Sequence, residues 1–211
     1  YQIGQVTCEA LRTLVINTMQ DWCGNRFAKG LIRPGGTNFP LKPEMRNTIL
    51  DRLADVNRRF LEVSDLIFGN SGILARFENT GPVSKKQAFL AGAVGMAART
   101  SGIHRDLRKS HPFMAYRELA FTPVILESGD VLARALLRKL EFEASYSIIR
   151  QLIEKLDGMS DGVSRIPRSD ISFAKGVLSV SLIEGWRGEI CHIALTDENG
   201  NLIKYKIKDP S

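Results

Sequence analysis

The densest run of side chains able to do chemistry lies between Ser101 and Pro112, where His104, Arg105, Asp106, Arg108, Lys109 and His111 crowd together. Imidazoles, a carboxylate and several cations at this spacing could form an acid–base site or an anion cradle. The same charges could instead be loop residues that tie two helices together through salt bridges. On the residues alone the structural reading carries more weight, because the segment marks no partner for a metal ion or a general base. The loop that reaches Pro112 argues against His104 and His111 sharing a helix face, so a metal pair is not expected there. Cys191 and His192 are neighbours in a stretch of alternating residues, and consecutive strand residues point to opposite faces, which prevents joint chelation. The cysteines, Cys8, Cys23 and Cys191, form no C-x-x-C pair, and their spacing reads as that of a reducing, cytoplasmic protein. The chain contains neither a Gly-x-Ser-x-Gly elbow nor a phosphate-binding glycine loop. Gly185 to Glu189 reads as a turn whose Arg187 and Glu189 can pair with each other or reach another subunit.

Elements must hold these groups in place. Leu11, Val15, Met19 and Trp22 recur at helical steps and predict a helix from about Gln5 to Cys23, stopped by Gly24. Leu31 to Gly36, with Pro34 and paired glycines, predicts a tight, ordered loop. Pro43 suits the first turn of a second helix, along which Met45, Ile49, Leu53, Val56, Phe60, Val63 and Ile67 form one apolar face ending at Gly69. Ser84 and Gln87 make a capping-box start for a helix rich in small residues, Ala91 to Ala98, where another element should approach closely. From Gly129 to Leu156, apolar residues at Leu132, Leu136, Leu140, Ala144, Ile148, Leu152 and Leu156 predict the longest helix, central to a bundle. After a polar stretch to Asp170 the period becomes two: Leu178, Val180 and Leu182, then Cys191, Ile193 and Leu195, then Ile203, Tyr205 and Ile207 predict strands. Asn199–Gly200 marks a hairpin. The expected class is α+β and mainly α: a helical bundle over 1–170 with a long central helix, then a small antiparallel β-sheet annex over 171–211, in one compact unit.

Composition fits a globular chain, with 44% hydrophobic and 25% charged residues among 211. Ala88 to Ala98, the longest strongly apolar run, has about half the length a bilayer crossing needs, so no membrane span is expected. No signal peptide is evident at the front, and a first residue Tyr1 in place of Met suggests a removed upstream segment. The net charge of +6 raises the question of nucleic acid, yet the 29 lysines and arginines are scattered, and no nucleic-acid partner is expected.

Read in order, the segments GNRFAKGLIRPGG, ENTGPVSKKQA, SGIHRDLRKSHPFMAY, SGDVLARALLRKLEFEASYSII and EGWRGEICHIALTDENGNLIKYKIKDPS resemble one family. It comprises the large subunits of energy-converting NiFe-hydrogenases of the formate hydrogenlyase type and their relative, the 49 kDa subunit of complex I; the resembling blocks run nearly from end to end of this chain. The resemblance implies an oxidoreductase large subunit, cytoplasmic and peripheral to the membrane, docked on a small iron-sulfur electron-transfer subunit and on membrane subunits. In the hydrogenases two C-x-x-C pairs hold Ni and Fe; in complex I those cysteines are replaced and the equivalent cavity takes part in quinone reduction. This chain has neither pair. The expectation is therefore a fragment that binds no cofactor and is inactive alone, with a Ni–Fe centre possible in the full-length subunit and the iron-sulfur cluster in the partner.

Ala28, where the complex I branch usually has His, leans toward hydrogenase, whereas SGIHRDLRK is closer to the complex I wording. By the same resemblance, Arg26 and Arg33 would lie at the interface with the cluster-bearing subunit. Arg105, Asp106 and Arg108 would brace helices around the cavity, while Arg187 and Glu189 would orient the terminal strands. A reading from a different class is a non-catalytic scaffold paralogue that mediates subunit contacts. A fragment parted from its partners should also expose apolar surface.

Overall fold

The computed structural model describes residues 2–157 and 172–211, so the boundary expected at residue 170 lies outside the described residues. The chain is mainly helical with a small antiparallel sheet, and it divides into two compact units, Tyr1–Ser71 with Ile149–Ile171 and Gly72–Ile148 with Ser172–Ser211. The sheet thus shares a unit with the charged segment and most of the longest helix.

In the first unit, α1 (Gln2–Cys23) packs against α2 (Pro43–Phe68). Gly24, at φ +72°, ends α1 in a conformation that residues with a Cβ avoid. The buried line of α1 is Leu11, Thr18 and Cys23, rotated from the expected stripe; Val15 is 41% exposed. Thr18 can take a buried position because its hydroxyl donates to the Leu14 carbonyl at 2.9 Å and accepts from Arg52 at 3.3 Å. Along α2 the expected face holds: Ile49, Val56 and Val63 are buried at steps of seven. The glycine-proline segment forms a hairpin of β1 (Ile32–Arg33) and β2 (Gly36–Thr37), turned by Gly35 at φ +82°.

The second unit contains α3 (Ser71–Phe77), α4 (Lys85–Leu90), α5 (Gly95–Thr100), α6 (Leu107–Ser110), a 3-10 turn (Met114–Arg117) and the start of α7 (Val131–Asp157). Ser84 and Gln87 cap α4 reciprocally, as their spacing predicts. The single small-residue helix expected next is two helices. Gly92 and Gly95, at φ +67° and +56°, interrupt the right-handed path between α4 and α5. Of the two glycines, the expected close approach occurs at Gly95: a Cβ there would stand 2.4 Å from the Arg187 carbonyl oxygen, whereas one at Gly92 would meet nothing within 4 Å.

Asp130 caps α7, accepting from the Ala133 N–H at 2.8 Å and, through its other oxygen, from the Asn79 N–H at 2.9 Å. In the first three turns of α7 the most buried row lies one residue on from the expected stripe, whereas farther along the expected Ile148 is buried. Ala133, Leu137 and Glu141 are 3%, 0% and 4% exposed, while Leu132, Leu136 and Leu140 are only partly covered. The physical reason is that an acid occupies this row, so the hydrophobic pattern points to its neighbour.

β3 (Leu178–Gly185), β4 (Gly188–Thr196) and β5 (Leu202–Lys208) form an antiparallel sheet in that order. One face carries Leu178, Val180, Leu182, Cys191, Ile193 and Leu195, bordered by Lys204, Lys206 and Lys208 of β5. Much of the sheet's apolar surface is open, with Leu178 and Val180 63% and 55% exposed. In the β4–β5 turn Gly200 takes a positive φ of +86°, while Asp197 accepts from the N–H groups of Asn199 and Asn201 at 2.8 Å each.

Candidate functional site

Four charged side chains from three helices meet in the second unit. Arg99 of α5, Asp106 at the start of α6, Arg108 of α6 and Glu141 of α7 have side chains 3%, 2%, 9% and 6% exposed. Arg108 forks onto Asp106, with Nε to Oδ1 at 3.0 Å and Nη2 to Oδ2 at 2.6 Å, and its Nη2 also donates to both oxygens of Glu141 at 3.1 Å. Arg99 pairs with Glu141 through Nη1 and lies 3.7 Å from Asp106 Oδ2 through Nε. Such forked contacts fix orientation as well as charge.

Local sequence explains how each member arrives. Asp106 caps α6 by accepting from the Arg108 N–H at 3.0 Å, which places its carboxylate next to the Arg108 side chain. Arg99 follows three small or flexible residues, Met96, Ala97 and Ala98, on a helix whose entry at Gly95 is pressed against the β3–β4 turn. Glu141 extends the buried row of Ala133 and Leu137 by one helical step. Burial, the largest single influence on Arg108, disfavours its cation, but hydrogen bonds to Asp106 and Glu141 outweigh it and hold its pKa above the ordinary arginine value. Phe121 adds a ring face with its centroid 4.3 Å from the guanidinium carbon.

A cavity of about 160 Å³ adjoins the cluster, lined among others by Arg99, Arg108, Tyr116, Glu141, Glu184 and Trp186. Glu184, near the end of β3, accepts from the Leu107 N–H at 3.0 Å through Oε2, while its buried Oε1 has no protein partner. Burial is the main cause that lifts the Glu184 pKa. The Leu107 N–H opposes it, Asp106 adds to it, and Arg99 and Arg108 lower it, leaving the carboxyl above its ordinary 4.5. A cavity with charged walls and one acid inclined to hold its proton can orient a polar ligand and handle a proton.

The sequence-derived residues are only partly united here. Asp106 and Arg108 belong to the cluster. Arg105 lies outside it and forks onto Glu189, with Nη2 to Oε1 at 2.6 Å and Nε to Oε2 at 3.1 Å, clasping the approach to α6 against β4. Glu189 therefore pairs with Arg105 and not with Arg187, since Arg187 occupies the turn that presses on Gly95. Arg26 and Arg33 belong to the first unit, where both are exposed. His192 contacts the Tyr205 hydroxyl on the sheet face opposite Cys191. Arg99, Glu141 and Glu184 escaped the sequence reading. The available signal was a lone charge inside an apolar or small-residue stretch: Arg99 after GMAA, and Glu141 in register with Ala133 and Leu137.

Among the described residues no three His, Cys, Asp or Glu side chains converge as a metal ion would require. Cys8 is exposed, Cys23 buried and Cys191 half-buried. This donor set does not fit a Ni–Fe centre. No helix among the described residues is long and apolar enough to cross a membrane.

Comparison with known proteins gives a consistent result. The model of the family "Respiratory-chain NADH dehydrogenase, 49 Kd subunit" matches residues 4–175. An NADH-quinone oxidoreductase subunit from Clostridium beijerinckii is 29% identical over 202 residues, covering 95% of this chain and 53% of the relative. Its counterpart in Chloroherpeton thalassium, which likewise bears the name of an NADH-quinone oxidoreductase subunit, is 35% identical over 133 residues, covering 63% of this chain and 30% of the relative. A chain from the structure of the membrane-bound sulfane sulfur reductase, an archaeal respiratory membrane complex, superposes with a TM-score of 0.83 over 93% of this chain and 54% of that one, at 24% identity. That likeness is one of fold. The chain spans about half the length of most of these relatives.

Proposed function

Because the chain belongs to the family of the 49 kDa subunit of respiratory-chain NADH dehydrogenase, we propose that it is part of the large subunit of a membrane-associated respiratory oxidoreductase, in which electrons from an iron-sulfur subunit reduce a quinone. The observation that carries this reading is the family match over residues 4–175, together with relatives named as subunits of NADH-quinone oxidoreductase. In this reading the Arg99–Asp106–Arg108–Glu141 cluster holds α5, α6 and α7 rigidly around the cavity, so that charge arriving there meets dipoles and ions already in place. Arg26 and Arg33, both exposed, are proposed to face the iron-sulfur partner, where cations favour the reduced state by Coulomb attraction. A peripheral position on the cytoplasmic side of the membrane, beside membrane subunits, goes with the same reading.

A second reading, proton reduction or hydrogen oxidation as in the formate hydrogenlyase type of NiFe-hydrogenase, is favoured by one residue. Ala28 stands where the complex I branch usually has His, in a backbone turn at φ +55°. The test is to tag this chain in its host, isolate the intact complex, and assay reduction of a soluble quinone analogue beside hydrogen evolution from a reduced viologen. Quinone reduction supports the first reading and hydrogen evolution the second. A complex competent in neither would refute both and leave the scaffold paralogue.

A further inference from the structure

The charge count around the cavity singles out one residue. Arg99 and Arg108 supply two buried cations, and Asp106 and Glu141 supply two buried anions, so the cluster is neutral without any further group. Glu184 lines the same cavity and would bring a fifth, uncompensated charge. We propose that Glu184 is carried as a neutral carboxylic acid and is the group through which this buried cluster releases and takes up a proton during turnover. The inference rests on the redox reading above, in which reduction of the acceptor consumes protons.

Geometry supports the assignment from α6, α5 and β4, and the 3-10 turn adds the Tyr116 phenol to the same cavity wall. From α6, the Leu107 N–H occupies Oε2 at 3.0 Å, and the forked Arg108–Asp106 pair leaves neither ion to spare. From α5, Arg99 is committed to Glu141 of α7, although its Nε–H has no hydrogen-bond partner. From β4, the residue directly across the ladder is another acid, Glu189, whose charge is taken by Arg105. Like charges directly opposed on a sheet destabilise it, which favours a proton on one of the two. Glu189 has its own cation and Glu184 does not. Oε1, buried and without a protein partner, is the oxygen left to carry that proton. The direction of the Glu184 pKa agrees.

The step balances simply. The carboxylic acid loses a proton and becomes a carboxylate, the proton goes to the acceptor as it receives electrons from the iron-sulfur donor, and a hydronium ion from bulk solvent restores the acid, so that a quinone taking two electrons and two protons draws on this cycle twice. Arg99 and Arg108, which both line the cavity, stabilise the transient anion through their charge.

The test uses the intact complex isolated through this chain, with Glu184→Gln and Glu184→Asp, and reads the pH profile of electron transfer. The expected parent profile falls as pH rises through the raised Glu184 pKa. Glu184→Gln should be slower by about tenfold or more and should lose that ionisation, and Glu184→Asp should restore it at a shifted midpoint. Superimposable profiles for parent and Glu184→Gln would overturn the proposal while leaving the redox reading intact. A parent complex inactive at every pH would overturn the redox reading instead. The protonation state is then decided by thermal unfolding of the complex. The folded pKa is raised, so the stability the parent holds relative to Glu184→Gln should be largest below the ordinary 4.5 and decline as pH rises toward the folded value. A difference that does not vary with pH refutes the neutral acid.

Discussion

Glu141→Gln is the sharpest probe of the buried cluster. The amide keeps the shape of the acid but removes one of the two anions that balance Arg99 and Arg108, in a site where the side chains are 9% exposed or less. Glu141 receives an N–H from Arg99 and donors at 3.1 Å on each oxygen from Arg108, so the loss touches both cations. Removing one partner of a buried pair typically costs about 3–5 kcal/mol, because the remaining charge stays desolvated. For a chain of this length about 1 kcal/mol moves the melting temperature by roughly 2–4 °C, giving an expected drop of roughly 6–20 °C. Thermal unfolding of the purified chain, followed by circular dichroism, measures it. The companion variant Arg99→Met with Glu141→Leu removes one charge of each sign and leaves the Arg108–Asp106 fork, so it should melt above Glu141→Gln. Arg58→Ala, whose two pairs with Asp55 and Glu62 are exposed on the surface of α2, should melt with the parent. If Glu141→Gln melts within about 2 °C of the parent, or the double variant is the less stable, the cluster is not the electrostatically closed unit described here.

Three further outcomes are expected. Gly95→Ala should cost well over the about 1–2 kcal/mol of a left-handed alanine, because its Cβ meets the Arg187–Gly188 backbone, while Gly92→Ala, with the same sign of φ and open space, should cost only that; chemical denaturation of both variants separates backbone strain from contact. Asp130→Asn should destabilise by about 1–3 kcal/mol at neutral pH, because both carboxylate oxygens accept hydrogen bonds and the amide NH2 would face one of those donors. Burial raises the Asp130 pKa, but N–H groups of Ala133 and Asn79 and the Ser128 hydroxyl together bring it below the ordinary 3.8; its contribution is therefore complete above that value and should vanish as pH falls through the lower folded one, read as converging melting temperatures in acid. Arg105→Ala, whose partner Glu189 is partly exposed, should lower the melting temperature less than Glu141→Gln does, with a difference that shrinks in high salt.

What the sequence revealed depended on whether a residue's role was written in its own neighbourhood. The extent of α2, the capping box at Ser84 and the three strands follow from local period and local hydrogen bonding, and they stand where their residues predict. The break between α4 and α5 did not register, because alanine and glycine side chains carry no period, and the conflict with the β3–β4 turn at Gly95 is a contact between distant segments. The charged loop was legible as a group of residues but not as a site. Asp106 and Arg108 announce themselves beside each other, while Glu141 is 33 positions from Arg108, in the part of α7 where the hydrophobic pattern points one residue away from the buried row. Arg187 and Glu189 looked like partners through proximity in sequence, yet Arg105, 84 positions from Glu189, takes that role.

The lysines of β5 have a consequence for how the chain behaves in solution. β5 is an outer strand with every residue exposed, and Ile203, Tyr205 and Ile207 alternate with Lys204, Lys206 and Lys208. An open edge of β-branched and aromatic residues is a template for stacking identical chains, and a positive charge at every second position makes each added copy repel the last. Three ammonium groups along this strand would thus oppose such stacking. Exchanging them for threonine would leave the ladder intact and remove the repulsion, turning a tolerated rim into a seed for aggregation.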